Sequence, residues 1–89
     1  RFRAERTRFF RELSAIPNLR VIPSQASYVM AEVSDSSLLA QRLLAEYSII
    51  IKDLRAKTDG LSYVRLAIRT PDENDRLLEA LREILVDQA

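Results

Sequence analysis

The stretch Leu61-Ser62-Tyr63-Val64-Arg65-Leu66-Ala67-Ile68-Arg69-Thr70-Pro71-Asp72-Glu73-Asn74 holds a strand and the start of a helix back to back. Val64, Leu66 and Ile68 alternate with Tyr63, Arg65, Ala67 and Arg69, and a strand sends successive side chains to opposite faces. Arg65 therefore stands off the apolar face. Thr70 with Glu73 three residues on forms a capping box, and Pro71 sits at the first helical position, where its missing N–H costs nothing. Asp72 and Glu73 lie where the helix dipole favours negative charge.

Downstream, Leu77, Leu78, Leu81, Ile84 and Leu85 line one face of a last helix, with Asp75, Arg76, Glu79, Arg82 and Glu83 on the other. Upstream, Lys52 to Gly60 is polar and closes on the turn dipeptide Asp59-Gly60; it is the segment expected to move most. Ile49-Ile50-Ile51 is a β-branched run that predicts a strand from Ile49 to Lys52, buried on both faces or covered by a neighbour. Before it, Ser34-Asp35-Ser36-Ser37 supplies candidate caps for a helix carrying Leu38, Leu39, Leu43, Leu44 and Tyr47. Ser27 to Val33 alternates Tyr28, Met30 and Glu32 against Val29, Ala31 and Val33, as a strand with one apolar face does. Leu19 to Ile22 reads as a short extended piece, followed by a turn at Pro23-Ser24-Gln25. In the opening helix Phe2, Phe9, Phe10, Leu13 and Ile16 form one stripe opposite a basic face, and Pro17-Asn18 ends it.

The order is helix, short strand, strand, helix, strand, strand, helix. The helix between Val33 and Ile49 is a crossover, so the strands on either side of it run parallel, while Leu61–Arg69 lies between them and antiparallel to both. The expected fold is a small α/β domain of the α+β two-layer type. It has a mostly antiparallel sheet of three to four strands in a split βαβ arrangement, and its helices cover one face. The other face, with Tyr28, Tyr63 and Arg65, is left open.

Composition narrows the chemistry. With 47% apolar and 30% charged residues the chain is globular, and its net charge of +1 gives no long-range pull towards nucleic acid or an anionic membrane. It has no Cys and no His, so the usual nucleophile triads and zinc sites cannot be built, and its single Gly rules out a glycine-rich phosphate loop. Asp and Glu are spread over helix exteriors and loops, where solvated surface is the plain reading. The aromatic and glycine order of an RNA-recognition strand is missing from Leu61–Arg69, and the aromatics of the first helix lie inside its apolar stripe. No apolar run approaches a membrane span, and the default compartment is cytoplasmic. A start at Arg1 directly inside a helical pattern reads as a fragment of a longer chain.

Arg65 is the residue with most to offer. A guanidinium on a rigid central strand can hold a carboxylate or phosphate through two parallel hydrogen bonds; equally, it can be a surface charge or pair with Glu32 across the sheet. Lys52 and Lys57 are anion contacts or surface charges.

Taken together, Ile16-Pro17-Asn18-Leu19-Arg20-Val21-Ile22-Pro23-Ser24-Gln25-Ala26-Ser27-Tyr28, Ile49-Ile50-Ile51-Lys52-Asp53 and Val64-Arg65-Leu66-Ala67-Ile68-Arg69-Thr70-Pro71-Asp72-Glu73-Asn74 resemble the C-terminal small domain of class I/II aminotransferases. The branch it is most similar to is the histidinol-phosphate aminotransferase and threonine-phosphate decarboxylase group, and the resemblance covers residues 1–89. It implies a pyridoxal phosphate cofactor held mainly by a large domain, an amino-acid or amino-phosphate substrate, and a homodimer at full length. It also implies that this domain, inactive alone, supplies Arg65 as clamp for the substrate carboxylate or phosphate, with Lys52, Ser27 and Tyr28 as further substrate-binding candidates and no catalytic residue of its own. Three positions depart from the family pattern: Arg69-Thr70 where Gly-Thr is usual, Ser27 where Asn is frequent, and Lys52 where Arg is frequent. Lysine keeps the charge but loses the planar fork. The alternative from another class is a free-standing regulatory or protein-interaction module that docks through Tyr28, Tyr63 and Arg65.

Overall fold

The computed structural model describes residues 2–23, 27–55 and 60–86. Helix α1 (Phe2–Ser14) leads into β1 (Arg20–Ile22) and β2 (Tyr28–Glu32). Helix α2 (Ser36–Tyr47) then crosses over to β3 (Lys52–Asp53), and β4 (Tyr63–Ala67) feeds α3 (Pro71–Val86). The four strands form one antiparallel sheet in the order β1-β2-β4-β3. Since β2 and β3 both run antiparallel to β4, they run parallel to each other across it, as a helical crossover requires. This is the expected split arrangement, with β4 in the interior of the sheet.

Register sorts the side chains. Val29 faces Leu66 and Ala31 faces Val64 on the helix side, all buried. Phe9 and Leu13 from α1, Leu39 and Leu43 from α2, and Leu77, Leu78, Leu81, Ile84 and Leu85 from α3 close over them in one core. Each such side chain removed from water contributes about 1.5–3 kcal/mol, most of it offset by the entropy of ordering the chain. Ile68, just past β4, packs against the same core, so the alternation read from the sequence persists beyond the last ladder residue. No helix among the described residues is long and apolar enough to cross a membrane.

Local signals account for the element ends. Asp35 caps α2, its side chain accepting from the Leu38 N–H at 3.1 Å. At α3 the capping box is complete: the Glu73 N–H donates to Thr70 Oγ1 and the Thr70 N–H to Glu73 Oε1, both at 3.3 Å. Helix α1 stops before Pro17, and Asn18, at a φ of 65°, turns the chain. The Asn18 side chain then donates to the Leu85 carbonyl at 2.7 Å, fastening the turn to the end of α3.

One predicted strand is displaced. Ile49-Ile50-Ile51 is not part of the sheet; β3 is the two residues Lys52–Asp53, of which Lys52 ends the expected strand and Asp53 falls in the stretch expected to be loop. The cause lies in the preceding helix. Ser48 adopts a left-handed φ of 57° and its N–H donates to the Leu44 carbonyl, while the Ile49 N–H donates to the Leu43 carbonyl. The start of the isoleucine run is thus spent on satisfying terminal carbonyls of α2. Ile49 and Ile51 pack against the rim of the core, and Ile50 is 77% exposed. Residues 56–59 of the predicted loop, Lys57 among them, and Ser24, Gln25 and Ala26 lie outside the described residues.

Candidate functional site

The open face of the sheet is set by the same alternation that built the core. Across the four strands, one row reads Ile22, Met30, Arg65, Lys52; a second reads Arg20, Glu32, Tyr63; and Tyr28 lies beside Ala67. Arg65 and Lys52 are therefore directly opposed, two cations on neighbouring strands. Like charges so placed repel, and the fold has nothing to gain from the arrangement.

The carboxylate that could have neutralised Arg65 is engaged elsewhere. Glu32 accepts from Arg20 Nε at 2.7 Å, the residue facing it on β1. The Arg65–Glu32 pair considered from sequence does not form, because register places Glu32 opposite Arg20 and Tyr63, two positions along the strand from Met30, the neighbour of Arg65. Among the described residues neither Arg65 nor Lys52 makes an ion pair. The contact that Arg65 does make is with the face of Tyr28, its guanidinium carbon 5.1 Å from the ring centroid. A guanidinium over an aromatic ring is attracted by the ring quadrupole while its N–H groups stay available at the edge.

Lys52, Arg65 and Arg69 line one depression of about 200 Å³ with Ile50, Ile51 and Ala67. Among the described residues no carboxylate lines it. Of the sequence-derived candidates, the structure brings Arg65, Lys52 and Tyr28 together, with Tyr28 beneath the arginine. Ser27 lies apart: it precedes β2, is exposed, and its carbonyl accepts from the Ile68 N–H at 3.1 Å, three ladder positions from Arg65. Arg69 was legible only as a continuation of the strand's alternation and as a departure from the family pattern.

Behind the depression sits Asn74, a buried polar residue at 1% exposure that sequence reasoning passed over. Its side chain accepts from the Arg69 N–H at 2.9 Å and donates to the Arg69 carbonyl at 3.0 Å and to Glu5 on α1 at 2.8 Å. It thereby fixes the exit of β4 against the first turn of α3. Glu5 in turn accepts two hydrogen bonds from Arg8, at 2.7 and 2.9 Å, and Arg8 also pairs with Asp75 at 2.8 Å. The hydrogen bonds from Arg8, then that from Asn74, pull the Glu5 carboxyl down to about 2 from its ordinary 4.5.

Comparison with known proteins gives this geometry a context. No family model matches the chain. Histidinol-phosphate aminotransferase 1 of Burkholderia lata is 38% identical over 81 residues, which is 90% of this chain and 22% of the relative. The threonine-phosphate decarboxylase of Salmonella typhimurium is 38% identical over 85 residues, 93% of this chain and 23% of the relative. The chain is a small domain of the histidinol-phosphate aminotransferase and threonine-phosphate decarboxylase kind. It spans under a quarter of the length of these curated relatives. In three dimensions this small domain superposes on the histidinol-phosphate aminotransferase of Clostridium acetobutylicum with a TM-score of 0.88 at 29% identity, covering 97% of this chain and 27% of the other. A histidinol-phosphate aminotransferase from Sinorhizobium meliloti, solved in complex with pyridoxal-5'-phosphate, shares the fold at 22% identity and a TM-score of 0.76, covering 99% of this chain and 24% of that one.

Proposed function

We propose that this small domain works as the C-terminal, substrate-binding part of a pyridoxal-phosphate-dependent aminotransferase or decarboxylase, and that Arg65 clamps the carboxylate or phosphate of its amino substrate. The observation that carries the reading is the state of Arg65. It is mounted on an interior strand, laid on Tyr28, opposed by Lys52 and left without a carboxylate, although Glu32 lies on the same face. A folded protein that leaves two adjacent cations unneutralised on a rigid surface is arranged for an anion from outside.

These residues fit the substrate end of such a site and not the cofactor end. Lys52, the lysine among the described residues, is exposed, with Arg65 and no carboxylate opposite it, so a Schiff-base lysine and an acid for the pyridine nitrogen would come from the large domain. Pyridoxal phosphate, when bound, supplies the electron sink for both transamination and decarboxylation. The part of this domain is to bind and orient. Arg65 fixes the anionic group, Lys52 adds positive charge from the edge strand, and the depression, smaller than the 300–1,000 Å³ or so of a complete ligand pocket, would be closed by the large domain. A homodimer at full length belongs to the same proposal, and sedimentation of the full-length protein tests it.

Arg65→Lys in the full-length enzyme tests the clamp. The charge is kept and the bidentate geometry lost, so kcat/KM for a carboxylate-bearing amino substrate should fall by about tenfold or more, with the thermal midpoint unchanged. An unchanged rate would refute the clamp.

A further inference from the structure

Arg69 shares the depression with Arg65 and Lys52, yet nothing in the clamp reading uses it. Its position follows from the chain. Arg65, Ala67 and Arg69 are every second residue, and the strand geometry continues past Ala67, because the Ile68 N–H donates to the Ser27 carbonyl and Ile68 packs against the core. Arg69 therefore continues the open-face row, about 13 Å along the strand from Arg65 at 3.3 Å per residue. Between the two arginines stands Ala67, whose short side chain leaves the floor of the trough low. Arg65 and Arg69 thus line one hollow from two positions of the same row, with Lys52 on the neighbouring strand beside Arg65.

The mount of Arg69 is as firm as that of Arg65. Both backbone polar groups of Arg69 are bound by the buried Asn74 side chain. Glu73 is an acid that feels the Arg69 charge, but its hydrogen bonds go to Thr70, whose hydroxyl at 2.9 Å and N–H at 3.3 Å do most to keep its carboxyl below the ordinary range, with smaller contributions from the charges of Arg69 and Arg76. Glu73 lines an adjoining hollow of about 250 Å³ that shares Ile50, Ile51, Ala67 and Arg69 with the trough, while Arg65 and Lys52 line the trough alone. Among the described residues Arg69 makes no ion pair.

We infer that Arg69 is a specificity-determining residue that binds a second anionic group, so that the site selects ligands carrying two anionic groups over ligands carrying one. The inference rests on Arg65 as the clamp for the first group. A ligand with a single carboxylate is held at Arg65 alone. One with a carboxylate and a phosphate spans the trough, and its second group gains a charge-assisted hydrogen bond at Arg69.

The test uses the full-length protein with two probes, O-phospho-L-serine and L-alanine, their dissociation constants measured by calorimetry at fixed ionic strength. Wild-type protein should prefer phosphoserine. Arg69→Gln should weaken phosphoserine about tenfold and leave alanine within about twofold, while Arg69→Lys should retain most of the preference. Equal weakening of both probes by Arg69→Gln, no change in either, or the absence of any wild-type preference would overturn the role of Arg69. Arg65→Gln separates the two readings. If it leaves alanine binding unchanged, the clamp itself fails; if it weakens both probes while Arg69→Gln alters neither, the clamp stands and Arg69 is discarded.

Discussion

Two charged clusters meet at the backbone of Arg69 and are resolved in opposite ways. At the junction of α1 with α3, Arg8 is shared between Glu5 and Asp75, Glu5 also accepts from Asn74, and Asn74 holds the backbone of Arg69. On the open sheet face Lys52, Arg65 and Arg69 gather round one hollow with no acid among the described residues that line it. The first cluster joins elements from the two ends of the chain, and there an unpaired charge would be paid for in stability. The second contributes nothing to holding elements together; β4 is already secured by its two ladders and by Val64 and Leu66 in the core. The contrast separates charges that serve the fold from charges held ready for a ligand.

Asn74→Ala strikes the first cluster hardest. It leaves the Arg69 backbone and one oxygen of Glu5 without their buried partner, and should cost about 3 kcal/mol of unfolding free energy by urea titration. A loss below about 1 kcal/mol would mean that the junction is held by packing alone. Thr70→Ala removes the cap of α3 and should cost about 1 kcal/mol in the same measurement. It also frees Glu73, so weaker anion binding in that variant would show the second cluster being neutralised from within. The mildest effect is confined to acid. Because the Glu5 pKa is lower in the folded protein, at about 2 against 4.5, its stabilisation is complete above about pH 4.5 and is lost as the pH falls through about 2. Unfolding midpoints of wild type and Glu5→Gln, compared from pH 7 to pH 2, should therefore differ most near neutrality and converge on acidification. A gap that persisted at pH 2 would remove Glu5 as the titrating group.

The sequence revealed most where the decisive interactions are local. The capping box at Thr70 and Glu73, the alternation from Tyr63 to Ile68 and the stripe of the last helix each involve neighbours within four residues and appear in the structure, whereas Leu38 and Leu44 of the stripe read for α2 are exposed. The strand order followed from one further constraint, the length of the crossover. The isoleucine run misled because β-branched composition reports fitness for a packed, pleated surface, whereas the hydrogen bonding of residues 48 and 49 was claimed by the end of α2. Asn74 was invisible for another reason: its partner Glu5 is 69 residues away. At the candidate site, the face of Arg65 could be read from period two. That Glu32 would go to Arg20 could not, since it depends on the register of β1 against β2.

The outer strands of the sheet are three and two residues long, and each presents a cation on the open face, Arg20 on β1 and Lys52 on β3. Exposed sheet margins are the usual templates on which one chain recruits another into aggregates, and short length and charge are what discourage that recruitment. Lys52 thus has a second consequence apart from any ligand: it helps keep copies of this domain from adding to one another strand by strand, and an uncharged residue there would carry a solubility cost that no activity assay would detect.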